Sequence, residues 1–168
     1  MDKCSICYKK LEPLFYAVSV AHLNCILCFI LNVNDKNKKG STPLFYAARY
    51  GYLECIQILL ENGAKIDIQN NKGYTPIHEA ALWGNDIALM MILKSDATYV
   101  NKTDFLFMTP LHLAATYGHI KCVQILLEYN AKINVEDTWG NTPRDYALKY
   151  NFIEVVDLLD NYQDLPPY

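Results

Sequence analysis

The sequence predicts an all-α solenoid of about five short helix-turn-helix units joined by protruding turns, and three observations predict it. First, one motif recurs: Thr42-Pro43-Leu44-Phe45-Tyr46-Ala47-Ala48, Thr75-Pro76-Ile77-His78-Glu79-Ala80-Ala81 and Thr109-Pro110-Leu111-His112-Leu113-Ala114-Ala115 are copies of one another. Thr142-Pro143-Arg144-Asp145-Tyr146-Ala147 is a fourth copy, and Glu12-Pro13-Leu14-Phe15-Tyr16-Ala17 an eroded opening one. Second, Pro13, Pro43, Pro76, Pro110 and Pro143 are spaced 30, 33, 34 and 33 residues apart, the periodicity of a stacked array. Third, each motif leads into a second amphipathic run and then a polar turn. No such unit buries its apolar face alone, so neighbours must cover it.

The second copy shows why each element forms. Thr42 is placed to cap a helix, its hydroxyl accepting from a backbone N–H one turn in. Pro43 follows at the first helical position, where its missing N–H costs nothing. Leu44, Ala47 and Ala48 make a narrow apolar face, and the small alanines let neighbouring helices approach. Gly51 ends this helix, predicted over Pro43–Tyr50. A second helix is predicted over Leu53–Glu61, with Leu53, Ile56, Leu59 and Leu60 on one face and Glu54, Gln57 and Glu61 on the other. Asn62-Gly63 supplies a left-handed stop, and Ile66 to Gly73 alternates into a turn.

Applied to the whole chain, this register divides it into a lead-in over 1–11, repeats at about 12–39, 40–72, 73–106, 107–139 and 140–161, and a tail over 162–168. The opening repeat is irregular: Ala21 replaces the mid-repeat glycine and three residues are missing after Asn32. It reads as a cap, as does the more polar last repeat with Arg144, Asp145, Lys149, Asp157 and Asp160. With the opening methionine, these atypical ends predict an array complete at both ends. The third repeat departs most among the internal ones. Asp86 stands where Leu53 and Ile120 stand, and Asp96 replaces the stop glycine, for which Asn130 substitutes in the fourth.

The Thr-Pro-Leu-His-x-Ala-Ala core and the 33-residue period resemble the ankyrin repeat over nearly the whole chain. That resemblance implies an ankyrin-repeat solenoid whose turns are hairpin fingers, with degenerate caps at both ends. It also implies a non-catalytic protein-interaction module, an adaptor or inhibitor that binds through the concave face and fingers. In that family the histidine of the core bonds locally and to the next repeat, which makes His78 and His112 structural.

Composition narrows the function. A formal net charge of -3 offers no basic surplus to neutralise phosphates, so nucleic acid is not the expected partner. No apolar run reaches the roughly 18 residues a membrane span needs, and Asp2, Lys9, Lys10 and Glu12 interrupt any leader. A monomer in the cytoplasm or nucleus is expected, which would leave the acceptor motif Asn101-Lys102-Thr103 unglycosylated.

Cys4-Ser5-Ile6-Cys7 and Cys25-Ile26-Leu27-Cys28, with 17 residues between the pairs, have formal zinc spacing. The register argues otherwise. Cys25 aligns with Cys55 and Cys122, and Cys28 with Ile58 and Ile125, which are core positions. No metal or cofactor is therefore expected; a zinc-bound N-terminal cap is the alternative, and the ankyrin portion of a larger enzyme is another. No recurring position sets His78, His112 or His119 beside a nucleophile, and no glycine-rich phosphate loop follows a strand, so no catalytic set is read.

The candidate binding residues form two sets. Seven residues after each repeat proline come Val20, Tyr50, Trp83, Tyr117 and Tyr150, a position that the resemblance places on the concave side. An aromatic stripe there suits partner binding, or packs between repeats. The finger residues Tyr74, Phe105, Leu106, Met108 and Trp139 would extend it into one apolar strip. The finger Asp104-Phe105-Leu106-Phe107-Met108 is unusual, having lost its glycine and gained large apolar residues at a normally wet tip. Its side chains either fold back over Trp83 and Tyr117 or stay exposed as an interface, the expectation adopted here. The terminal Leu165-Pro166-Pro167-Tyr168 reads as a frayed end, with a WW-domain ligand as the alternative.

Overall fold

The computed structural model describes residues 33–163. Four helix pairs follow one another in it: α1 (Pro43–Tyr50) with α2 (Leu53–Glu61), α3 (Pro76–Trp83) with α4 (Asp86–Ser95), α5 (Pro110–Thr116) with α6 (Ile120–Glu128), and α7 (Pro143–Lys149) with α8 (Ile153–Gln163). The α1 and α2 bounds are those the motif predicts. The first helices α1, α3, α5 and α7 pack side by side in one layer, and the second helices α2, α4, α6 and α8 in another.

Small residues set the spacing of the first layer. Ala47, Ala80, Ala114 and Ala147 are all fully buried, so adjacent helices meet almost backbone to backbone. Leu44, Ile56 and Leu59 and their counterparts Ile77, Leu89, Ile92, Leu111 and Leu126 fill the space between the layers. Each fully buried side chain of this size contributes about 1.5–3 kcal/mol.

The helix ends follow the same logic with local exceptions. Gly51, Gly84 and Gly118 end the first helices at φ 67, 69 and 68°, and Asn151 does so at 61° after α7. A side chain is barred at Gly84 for a second reason, because a Cβ there would lie 2.7 Å from the His119 ring of the next repeat. Asn130 takes the left-handed stop after α6 at φ 62°. Asp96 does not: its backbone is extended at φ -163° and leads into a 3-10 turn over Ala97–Tyr99. That turn, capped by Asp96 Oδ1 accepting from the Thr98 amide at 2.9 Å, absorbs the one-residue insertion behind the 34-residue spacing.

One expectation fails at α1. Thr42 occupies the cap position, but its hydroxyl makes no capping bond and is buried without a partner among the described residues. Thr75, Thr109 and Thr142 do cap, each paired with the residue three positions on, His78, His112 and Asp145. Phe45 holds that place in α1 and has no ring nitrogen to meet the hydroxyl.

Candidate interaction face

The fingers are built by one device repeated four times. Asn37, Asn70, Asp104 and Asp137 each turn a side-chain oxygen onto two amides of their own hairpin. Asn70 Oδ1 accepts from Lys72 and Tyr74 at 2.9 and 3.0 Å, and Asp104 Oδ1 from Leu106 and Met108 at 2.9 and 2.8 Å. The third finger keeps this turn without its glycine. Phe107 takes the left-handed place at φ 62°, where Gly40, Gly73 and Gly140 stand at 73, 82 and 76°.

Histidines tie the fingers to the helices. The Thr75 amide donates to His78 Nδ1 at 3.2 Å, so that nitrogen carries no proton, and Nε2–H donates to the Met108 carbonyl of the next finger at 3.2 Å. His112 bonds the Asn141 carbonyl in the same way at 3.2 Å. Burial pushes the His78 imidazole down to about 4 from its ordinary 6.5, because a buried cation loses its hydration. His112 is lowered by the same cause.

The tip of the third finger stays open. Phe105 and Phe107 are 63% and 60% exposed and Leu106 is 44% exposed, while Trp83 and Tyr117 remain uncovered at 55% and 54%. The fold-back alternative is therefore absent. Met108 differs from the expectation: it is buried, its carbonyl taken by His78 and by the Asp104 amide. It belongs to the finger's frame and leaves the candidate surface. Phe107, which the candidate set omitted, joins it, and its alignment with three glycines was the available signal.

The helix-borne aromatics are each braced by a neighbour. Tyr50 lies against Tyr52 with ring centroids 5.6 Å apart, and Tyr117 stacks on His119 at 6.2 Å. Lys149 Nζ sits 5.5 Å from the Tyr150 ring. Trp83 is held from two sides: its Nε1–H donates to Glu79 at 3.2 Å, and the Arg49 guanidinium lies 5.6 Å from its ring. Arg49 also grips the buried Glu79 carboxylate through two bonds of 3.0 and 3.1 Å. Tyr74 is half-buried on the His78 ring at 5.5 Å, and burial pushes its phenol up to about 12. Trp139 stands out at 63% exposure.

The two described cysteines, the nucleophile type found elsewhere, are core groups. Asp86, His119 and Cys122 line one open cleft, but the Cys122 thiol is buried and pushed up to about 12 by that burial. A thiol so placed is an unreactive packing group. Cys55 is likewise buried, at about 11. Among the described residues no three His, Cys, Asp or Glu side chains converge as a metal site, and no helix is long and apolar enough to cross a membrane. Val20, Cys4, Cys7, Cys25, Cys28 and the Leu165–Tyr168 tail lie outside the described residues.

The family model described as ankyrin repeats in three copies matches residues 14–104 and 94–166. The chain belongs to the ankyrin repeat family. Ankyrin repeats are a protein-interaction fold, and this array is similar to segments of larger proteins. It is 40% identical over 81 residues to the mitochondrial liver glutaminase isoform of Mus musculus, covering 47% of this chain and 13% of that protein. It is 38% identical over 73 residues to the tyrosine-protein kinase HTK16 of Hydra vulgaris, covering 44% of the chain and 10% of the kinase. With human Rabankyrin-5 it shares 40% over 57 residues, covering 34% of the chain and 5% of the relative. The match thus spans a small fraction of each relative's length.

Proposed function

We propose that this ankyrin array is an intracellular, monomeric adaptor or inhibitor that binds a protein partner without catalysing a reaction. The partner would meet Tyr50, Trp83, Tyr117 and Tyr150 on the first helices and Tyr74, Phe105, Leu106, Phe107 and Trp139 on the fingers. One observation carries the reading: the third finger displays three large apolar side chains to solvent and holds one of them, Phe107, in a left-handed backbone conformation. A phenylalanine there costs about 1–2 kcal/mol, and strain of this kind concentrates at sites of function. The bracing of the helix aromatics supports it further, since side chains already ordered lose less freedom on binding.

The test is affinity capture from the native cell with the intact chain and with a Phe105→Ser, Leu106→Ser variant. The variant is expected to keep its melting temperature and lose the captured protein. A variant that melts much lower while still capturing it would place these side chains in the fold and the interface elsewhere.

Two of the similar proteins carry the names of enzymes and are much longer than the match, which favours a second reading, the ankyrin portion of a larger enzyme. An immunoblot of the native source reads this directly. A band near 19.3 kDa supports the free-standing adaptor, and a much larger one the second reading.

A further inference from the structure

We propose that the fingertips bind an extended peptide segment with acidic residues at one end and two large apolar residues at the other. This rests on the reading above that the fingers meet a protein partner, and it specifies the chemistry of that partner. The four tips form one continuous row. The Asn71 amide donates to the Lys39 carbonyl at 3.0 Å, the Phe105 amide to the Lys72 carbonyl at 3.4 Å, and the Thr138 amide to the Leu106 carbonyl at 2.9 Å. The row therefore reads Lys38-Lys39, Asn71-Lys72, Phe105-Leu106, Thr138-Trp139.

Its chemistry changes from one end to the other. Lys38, Lys39 and Lys72 are exposed, and among the described residues no carboxylate pairs with their ammonium groups. The acids nearest the tips, Asp104 and Asp137, are buried and turned onto their own hairpin amides; the exposed Asp35 and Glu136 precede the turns. The far half of the row is apolar, with Phe105, Leu106 and Trp139 exposed and Phe107 beside them. A complementary strand thus needs negative charge over the first two fingers and large apolar groups over the last two.

Spacing follows from chain geometry. Each step along the row crosses two residues, at most about 7 Å, and one hydrogen bond of roughly 3 Å. That makes about 10 Å per finger, or roughly three residues of extended partner. The two apolar residues should be about three positions apart, with acidic residues about three and six positions before the first of them. Single-stranded nucleic acid fits less well. Such sites interleave stacking rings along a basic groove, whereas here the charges and rings are segregated, Leu106 has no ring face, and the net charge is -3.

The experiment is selection of a displayed random-peptide library on the intact 168-residue chain, followed by titration of a synthetic peptide of the enriched pattern. Enrichment of acidic residues at one end and two apolar residues at the other is expected. Lys38→Glu, Lys39→Glu, Lys72→Glu together, and separately Phe105→Ser, Leu106→Ser, should each weaken that peptide about tenfold or more, with only the first effect shrinking in high salt. Peptides without acidic residues, sensitive only to the apolar pair, would overturn this proposal and leave the adaptor reading standing. Peptides indifferent to both variants, or none enriched at all, would remove the fingertips as a peptide site; the capture experiment still reads the adaptor function by itself. Binding of an oligothymidine of about 20 nucleotides, lost in the lysine variant, would assign the row to nucleic acid and overturn the proposal.

Discussion

Phe45 stands three residues beyond Thr42, the position that His78 and His112 hold beyond Thr75 and Thr109, and the Thr42 hydroxyl is buried with no partner among the described residues. A buried hydroxyl left unpaired costs about 1–3 kcal/mol. Phe45→His would bring an Nδ1 acceptor to Thr42 and an Nε2–H donor towards the Tyr74 carbonyl, the counterpart of the Met108 carbonyl that His78 meets. The exchange loses some apolar ring burial, so a net gain of about 1 kcal/mol is expected at pH 8. Urea unfolding checks it: a midpoint that falls would mean the phenyl ring's packing outweighs the missing bond.

The same histidines make the stack acid-sensitive. His78 is pushed down to about 4 by burial, while in the unfolded chain it has its ordinary value near 6.5. Between these values the unfolded state takes up a proton that the folded state refuses. Stability is therefore fully present above about pH 6.5 and lost as pH falls towards 4, by an amount on the order of 3 kcal/mol. His112 acts in the same direction. Denaturant midpoints measured across pH 7.5 to 4 should fall, and His78→Gln should flatten part of that slope even though it lowers stability at neutral pH. A wild-type curve level across this window would contradict the neutral, doubly bonded imidazole.

Much of this architecture is readable from residues whose effect is local. Pro43 and Gly51 bracket α1, and the small Ala47, Ala80, Ala114 and Ala147 are buried as their recurrence implies. What the sequence does not announce depends on particular partners, one within the same turn and others one repeat away. Thr42 looks like a cap until its partner at position 45 is considered. Met108 reads as an exposed apolar residue because nothing local marks its carbonyl as the target of His78. The Arg49–Glu79 pair joins residues 30 apart, at different places in consecutive repeats, so no motif alignment brings them together. Phe107 is the intermediate case, since its alignment with three glycines was visible but its left-handed backbone was not.

Ala114 tests the close approach of the first helices. It is fully buried in α5, which packs between α3 and α7. Ala114→Leu adds three carbons where no space exists and should cost about 1–3 kcal/mol. Gln124→Leu, on the exposed face of α6, adds apolar surface without crowding and should stay within about 0.5 kcal/mol. Equal effects of the two in guanidinium unfolding would mean the inner layer can spread, contrary to the observed packing.

Phe107 separates the demands of folding from those of display. Its φ of 62° lies where Gly73 has 82° in the preceding finger. At Gly73 a Cβ would come 2.5 Å from the Phe105 amide, whereas at Gly140 nothing lies within 4 Å. The left-handed backbone angle is therefore the obstacle common to this place in the turn, and crowding is added only where the next finger packs against it. The following finger still docks, with the Thr138 amide 2.9 Å from the Leu106 carbonyl. Phe107→Gly relieves a left-handed strain of about 1–2 kcal/mol, offset by the greater freedom of glycine in the unfolded chain, about 0.5–1 kcal/mol. A net gain of roughly 0.5–1 kcal/mol is expected. Phe107→Asn, which tolerates the same angles with less unfolded-state freedom, should match or exceed it. Both variants remove a ring that is 60% exposed, so the stability they gain should come with weaker capture of the partner. If urea midpoints fall in both, the ring is packing on the neighbouring finger strongly enough to outweigh its strained backbone, and its exposure serves the fold rather than a partner.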